Sequence, residues 1–158
     1  MMGKICALFG HRHAFNLGNM EELKERLTTV LTTLIEKEGV DTFLVGGYGD
    51  FDLLAGKVTH ELKEKYPAIN TWLVLAYGSE LLQSKPLPPF DVFDYPLSVE
   101  RCKRYYAIAA RNQHMVKQAD IIVCYVDTYG GAFKAVQFAL KRKKPVINLA
   151  PFDFEEYV

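Results

Sequence analysis

Thr42-Phe43-Leu44-Val45-Gly46-Gly47-Tyr48-Gly49-Asp50 decides the fold. Four β-branched or apolar residues run into a glycine turn, and the positions that follow, Leu53, Leu54, Val58 and Leu62, repeat at helical spacing. Tyr66-Pro67 closes that helix, because a residue before proline avoids the helical region. The pattern recurs further on: Ile121-Ile122-Val123-Cys124-Tyr125 is followed by the Gly130-Gly131 turn and a helix-like stretch over residues 132–143. A strand that turns through glycines into a helix aims backbone N–H groups and a positive helix end at one point, as α/β proteins do to hold a phosphate or another anion. A nucleotide-like ligand is the first expectation.

Outward from these turns, Ile5-Cys6-Ala7-Leu8-Phe9, ended by Gly10, reads as strand one, buried on both faces of a parallel sheet. Residues 20–37 carry Leu23, Leu27, Val30, Leu31, Leu34 and Ile35 at helical spacing, with Asn19 as cap and Glu22 placed to complete a capping box. Gly39 ends this helix, and Thr42 to Val45 is strand two. Strand three covers residues 71–76. Residues 77–98, with Pro86, Pro88, Pro89 and Pro96 among Phe90, Phe93 and Tyr95, read as a long irregular connection. Such a loop covers a site, meets another subunit, or packs its aromatics on the core. Residues 98–119 form a third helix, 121–125 strand four, 132–143 a fourth helix, and Val146-Ile147-Asn148-Leu149 strand five. Strands alternating with helices imply right-handed crossovers in a three-layer α/β/α architecture with a mainly parallel sheet. The expected order is 3-2-1-4-5, with the topological switch between strands one and four.

The chain length of 158 residues suits one domain, residues 1–158, with a sizeable core. Nineteen basic residues balance nineteen acidic ones, so no global positive field favours nucleic acid or an acidic membrane. The basic run Lys141-Arg142-Lys143-Lys144 falls at a helix end, where cations complement the dipole and meet solvent. Cys6, Cys102 and Cys124 show no Cys-x-x-Cys spacing, and two of them sit in apolar runs as small hydrophobes, which fits a reduced, cytoplasmic protein. The run from Ile5 to Phe9 is too short for a signal peptide, and no segment approaches membrane-spanning length.

Four segments converge at the switch: Gly10-His11-Arg12, Gly46 to Asp52, residues 127–131, and Arg111-Asn112. Gly10-His11-Arg12 after the first strand, the Gly-Gly-x-Gly-x-x-Asp of Gly46 to Asp52, then Arg111-Asn112-x-x-Met115-Val116, Ala119-Asp120 and Gly130-Gly131 together resemble the SLOG superfamily. Its members include YpsA-like proteins, LOG proteins and DprA-like domains. The resemblance runs in order along nearly the whole chain, and its specificity lies in the combination. It implies a Rossmann-like fold that binds nucleotides or nucleotide-derived ligands. LOG enzymes, which are similar to phosphoribohydrolases, use an Arg-x-x-x-Met segment and a Gly-Gly-x-Gly-Thr-x-x-Glu turn whose Arg and Glu serve catalysis. Arg111 and Met115 match the first; in the second, Ala132 stands for the threonine and Ala135 for the glutamate. Alanine neither transfers a proton nor stabilises an oxocarbenium charge, so the resemblance speaks for the ligand more than for the reaction.

The ligand-binding candidates are Gly10, His11, Arg12, Gly46, Gly47, Gly49, Asp52, Arg111, Asn112, Gly130, Gly131 and Lys134. Arg12, Gly10 and the Gly130-Gly131 turn are expected on the phosphate, and Asn112 and Asp52 on sugar or base. A guanidinium matches phosphate geometry, although Arg111 could instead form a salt bridge to Asp120 or Asp127. Lys134 either reaches the phosphate or is an exposed lysine. A substitute catalytic carboxylate could be Asp50, Asp52 or Asp127, yet the first two also suit a helix cap and the third a turn. His11-Arg12-His13 has no Cys, Asp or Glu at ligand spacing, so no metal is expected and His11 lines the pocket. Tyr48 either stacks on a base or packs on its own helix. His60 and His114 follow helix patterns and are not catalysts on their own. No cofactor is identified beyond a nucleotide-derived ligand. The leading expectation is a sensor or carrier without turnover; the alternatives are an N-glycosidic hydrolase or transferase, and a protein-interaction module with a vestigial pocket. Self-association is a further expectation, from the aromatics and from the dimers common among related proteins.

Overall fold

The computed structural model of the chain describes residues 3–11, 20–47, 49–78 and 90–154. Six parallel strands form one sheet: β1 (Lys4–Gly10), β2 (Val40–Val45), β3 (Asn70–Val74), β4 (Val92–Asp94), β5 (Ile121–Tyr125) and β6 (Val146–Asn148), in the order β4-β3-β2-β1-β5-β6. The helices are α1 (Met20–Glu38), α2 (Asp50–Lys65), the short α3 (Leu97–Glu100), α4 (Ala107–Gln118) and α5 (Gly131–Lys141).

Alternation along β1 explains why its apolar run is continuous. Cys6 and Leu8 belong to a core with Leu27, Leu31, Phe51 and Val58 of α1 and α2, whereas Ala7 and Phe9 belong to a second core with Met115, Val116, Phe133 and Val136 of α4 and α5. Both faces are covered, so every side chain from Cys6 to Phe9 must be apolar. Burial also pushes the Cys6 and Cys124 thiols well above their usual range, which keeps them as protonated hydrophobes. Gly39, at φ 73°, follows the end of α1 in the left-handed region that glycine enters at no steric cost. The expected capping residue Asn19 lies outside the described residues.

The five-strand order expected from the sequence is present, with a sixth strand added beyond β3. The connection over residues 77–98 was expected to be irregular, but β4 lies inside it. Asp91 anchors this edge strand: its amide donates to the Thr71 carbonyl at 2.8 Å, its carboxylate accepts from the Thr71 amide at 2.8 Å, and Lys63 Nζ reaches it at 2.8 Å. His114 Nε2 on α4 stands 3.4 Å from Asp94 Oδ2. Residues 79–89 of the same connection lie outside the description.

The third helix also differs from expectation, because residues 98–119 are not one helix. α3 ends at Glu100, Lys103 is extended at φ −67° and ψ 142°, and a 3-10 turn (Arg104–Tyr106) leads into α4. The reason is packing. Val99 and Ala107 bury in one small cluster with Ala76, yet in an unbroken helix they would stand about 12 Å apart along the axis. The break lets both reach the end of β3. No described helix is long and apolar enough to cross a membrane.

Replacing Asp91 by Ala removes an acceptor shared by a backbone amide and an ammonium. Urea unfolding of the variant should show a loss of about 1–2 kcal/mol, with Asn at the same position retaining most of the stability.

Candidate functional site

β1, β2 and β5 are adjacent and parallel, so their carboxyl ends open on one side, at the point where the chain crosses from one face of the sheet to the other. An open cleft of about 260 Å³ lies there. Eight sequence-read candidates border it: Gly10, His11, Gly46, Asp52, Arg111, Asn112, Gly130 and Gly131. Gly47 and Gly49 shape the turn before α2 but do not line the cleft, and Lys134 lies outside it, on an adjoining groove. Arg12, His13 and Tyr48 fall outside the described residues. Leu8, Phe9, Ile108, Met115 and Ala132 complete the lining. In the sequence Leu8, Phe9 and Ile108 read as core or helix positions marked only by their neighbours, whereas Met115 and Ala132 stood in the Arg-x-x-x-Met and glycine-turn motifs.

The floor is held by Arg111. Its guanidinium, 5% exposed, donates from Nη1 to the Gly46 carbonyl at 2.8 Å and from Nε to Asn112 Oδ1 at 3.1 Å. A Cβ on residue 46 would stand 2.8 Å from Arg111 Cζ, so only glycine leaves room for this contact. The alternative partners read for Arg111 have other roles: Asp120 accepts from the Ile5 amide at 2.9 Å, and Asp127 meets His11. Gly10 answers to packing as well, since an added Cβ would come within 2.2 Å of the fully buried Phe51 ring.

Asn112 is 8% exposed, and its orientation follows from Arg111. An arginine only donates, so the atom facing it must be the amide oxygen. That leaves the Asn112 nitrogen with no partner among the described residues. Asn112 itself lines both the cleft and the groove beside it.

The two helices facing the cleft differ at their N-termini. Neither α2 nor α5 has a side-chain cap; Gly49 (φ 89°) and Gly130 (φ 154°) occupy the cap positions. Asp50 and Asp52 were candidate caps, and both instead lie inside the first turn of α2, where their carboxylates complement the dipole. Asp52 is 7% exposed and borders the cleft, while Asp50 is exposed. The first turn of α5 contains no acidic residue. At Gly131 an added Cβ would meet nothing within 4 Å. The α2 side of the cleft therefore carries a carboxylate at its helix start, whereas the α5 side carries none and turns its first backbone N–H groups toward the opening.

His11 joins the loops after β1 and β5. Its Nε2 is 3.0 Å from the Asp127 amide and 3.2 Å from Asp127 Oδ1. Nε2 accepts the Asp127 amide hydrogen, which ties the two loops together. Asp127 itself is exposed and is not among the lining residues. No group of three or more potential metal ligands occurs among the described residues.

No protein-family model matches the chain, and no curated protein matches it. Solved structures do. The molybdenum cofactor carrier protein MCP from Chlamydomonas reinhardtii is 19% identical over 92% of this chain and 76% of that one, with a TM-score of 0.59. A second structure of the Moco carrier protein from the same organism is 20% identical over 94% and 77% of the two chains, with a TM-score of 0.56. At such identities the likeness establishes the fold, a Rossmann-like α/β sheet.

Gly10 and Gly131 should separate packing from site chemistry. Gly10→Ala forces the Phe51 ring to move and should cost about 1–3 kcal/mol in denaturant unfolding. Gly131→Ala has free space and an ordinary helical backbone, so it should leave stability unchanged or raise it by up to about 1 kcal/mol.

Proposed function

We propose that the cleft binds a phosphate-bearing small molecule, a nucleotide or nucleotide-derived ligand, and that the protein acts as a carrier or sensor. The observation that carries this reading is the first turn of α5: an uncapped helix N-terminus without a carboxylate, entered through Gly130 and Gly131, bordering a cleft. Backbone N–H groups and the helix dipole there favour an anion by about 0.3–2 kcal/mol from the dipole alone. Asp52, across the cleft, offers carboxylate oxygens that would accept hydrogen bonds from ligand hydroxyl groups, which suits a sugar phosphate with its phosphate on α5 and its sugar toward α2. Arg12, which follows Gly10-His11 in the sequence, is assigned to the same phosphate on the chemistry of its guanidinium. Asn112 donates to the ligand through its amide nitrogen.

The carrier reading is supported by the shared fold of the molybdenum cofactor carrier proteins and by Ala135, which leaves the α5 wall without a proton-transferring group. The ordered glycine, arginine and asparagine motifs support placement in the SLOG superfamily. A second reading, N-glycosidic hydrolysis or transfer, rests on Asp52, the one candidate carboxylate of the three that lines the cleft.

Thermal unfolding against nucleoside monophosphates, cyclic and dinucleotides, ADP-ribose, NAD and ribose 5-phosphate tests the proposal. A ligand at one hundred times its dissociation constant should stabilise by about 2.7 kcal/mol, and Gly131→Ala should abolish the shift while leaving the unliganded protein folded. Absence of a shift with every compound sinks the proposal. Release of free base from any of them, lost in Asp52→Asn with binding kept, transfers the assignment to the second reading.

A further inference from the structure

Beside the cleft, between α4 and α5, runs a second groove of about 280 Å³. Its walls are Ile108, Ala109, Ala135 and Phe138, its rim holds Gln113 and Lys134, and it shares Ile108, Asn112 and Gly131 with the cleft. Each space alone falls below the roughly 300–1,000 Å³ usual for small-molecule sites, whereas the two joined fall inside that range. The geometry points to one continuous, two-part site: the cleft takes the anionic end of the ligand, and the α4–α5 groove takes a flat, fused heteroaromatic ring carried on the same molecule. This assignment rests on the phosphate reading of the cleft and adds the class of group attached to the phosphate.

Three observations carry it. Aliphatic and aromatic walls contributed by two neighbouring helices suit the faces of a planar ring, and Ala135, with only a methyl group, leaves space between them. Asn112 stands at the junction, more than nine-tenths buried, with its oxygen held by Arg111 and its nitrogen unpartnered among the described residues. A buried donor of this kind discriminates, because a ligand without an acceptor at that point leaves it unsatisfied. The exposed rim residues Gln113 and Lys134 add an amide and a cation for the polar edge of a base-like ring. Lys134, read from the sequence as either a phosphate contact or an exposed lysine, is thereby assigned to the ring end.

Calorimetric titration of the protein with AMP, GMP and ribose 5-phosphate tests the assignment. At least one purine nucleotide should bind about tenfold or more tightly than ribose 5-phosphate. Ala109→Leu, at an exposed helix position that tolerates leucine, should fill the groove and bring the two affinities within about twofold, with ribose 5-phosphate unaffected. Asn112→Asp keeps an oxygen against Arg111 but replaces the donor by an acceptor, and should weaken the purine nucleotide about tenfold. Equal affinities in the unmodified protein, or a preference that survives Ala109→Leu, would overturn the two-part site alone and leave the groove to another occupant, such as a partner chain. Failure of all three compounds to bind would overturn this inference, and failure of the wider panel as well would overturn the phosphate reading with it.

Discussion

The contact on which the candidate site depends is the Arg111 guanidinium seated on the Gly46 carbonyl. Removing a guanidinium from water is costly unless its donors are satisfied, so the position dictates its surroundings. Residue 46 must lack a side chain, the end of β2 must present its carbonyl, and Asn112 must turn its oxygen inward. α4 is thereby fixed against the carboxyl end of the sheet, and the cleft acquires a rigid floor. The charge still acts through a low-dielectric floor, but the geometry of the fork is committed to the protein. Arg111 thereby holds Asn112 and the β2 turn in place while it borders the cleft itself.

With that floor in place, the polarity of the cleft follows from helix termini. α2 brings Asp50 and Asp52 to its own first turn, while α5 brings none. The contrast sets an axis across a space only about 260 Å³ in volume: acceptors on one side, backbone donors on the other. The ligand proposed above, with hydroxyls at one point and a phosphate at another, is matched to this axis. Gly131 is informative here because neither packing nor backbone conformation among its neighbours requires glycine, unlike Gly10 against Phe51 or Gly46 against Arg111.

Most of the sheet was legible in the sequence because buried parallel strands are short apolar runs and the amphipathic helices between them keep strict spacing. β4 was not, since three residues in a proline- and aromatic-rich connection have no readable period; its position comes from Asp91 and Thr71, a tertiary contact. The break at residues 101–106 carries no proline or glycine, and only the shared burial of Val99, Ala107 and Ala76 accounts for it. For the site, glycine turns and charged residues were readable and their convergence followed from topology. The functions of individual residues were less so: Asp50 and Asp52 lie within the helix turn they seemed placed to cap, and Lys134 faces the neighbouring groove. Which side of a helix faces which cavity depends on crossing angles that a sequence does not display.

The most direct measurement is a titration of the ¹⁵N-labelled protein with AMP, followed by amide spectra. The account predicts that the backbone amides of Gly130, Gly131 and Ala132 and the side-chain NH₂ of Asn112 shift together along one saturation curve, while Lys4, Val40 and Ile121 at the opposite ends of their strands stay in place. Saturable shifts confined to another surface, or none at residues 130–132 at concentrations that saturate binding, would contradict it.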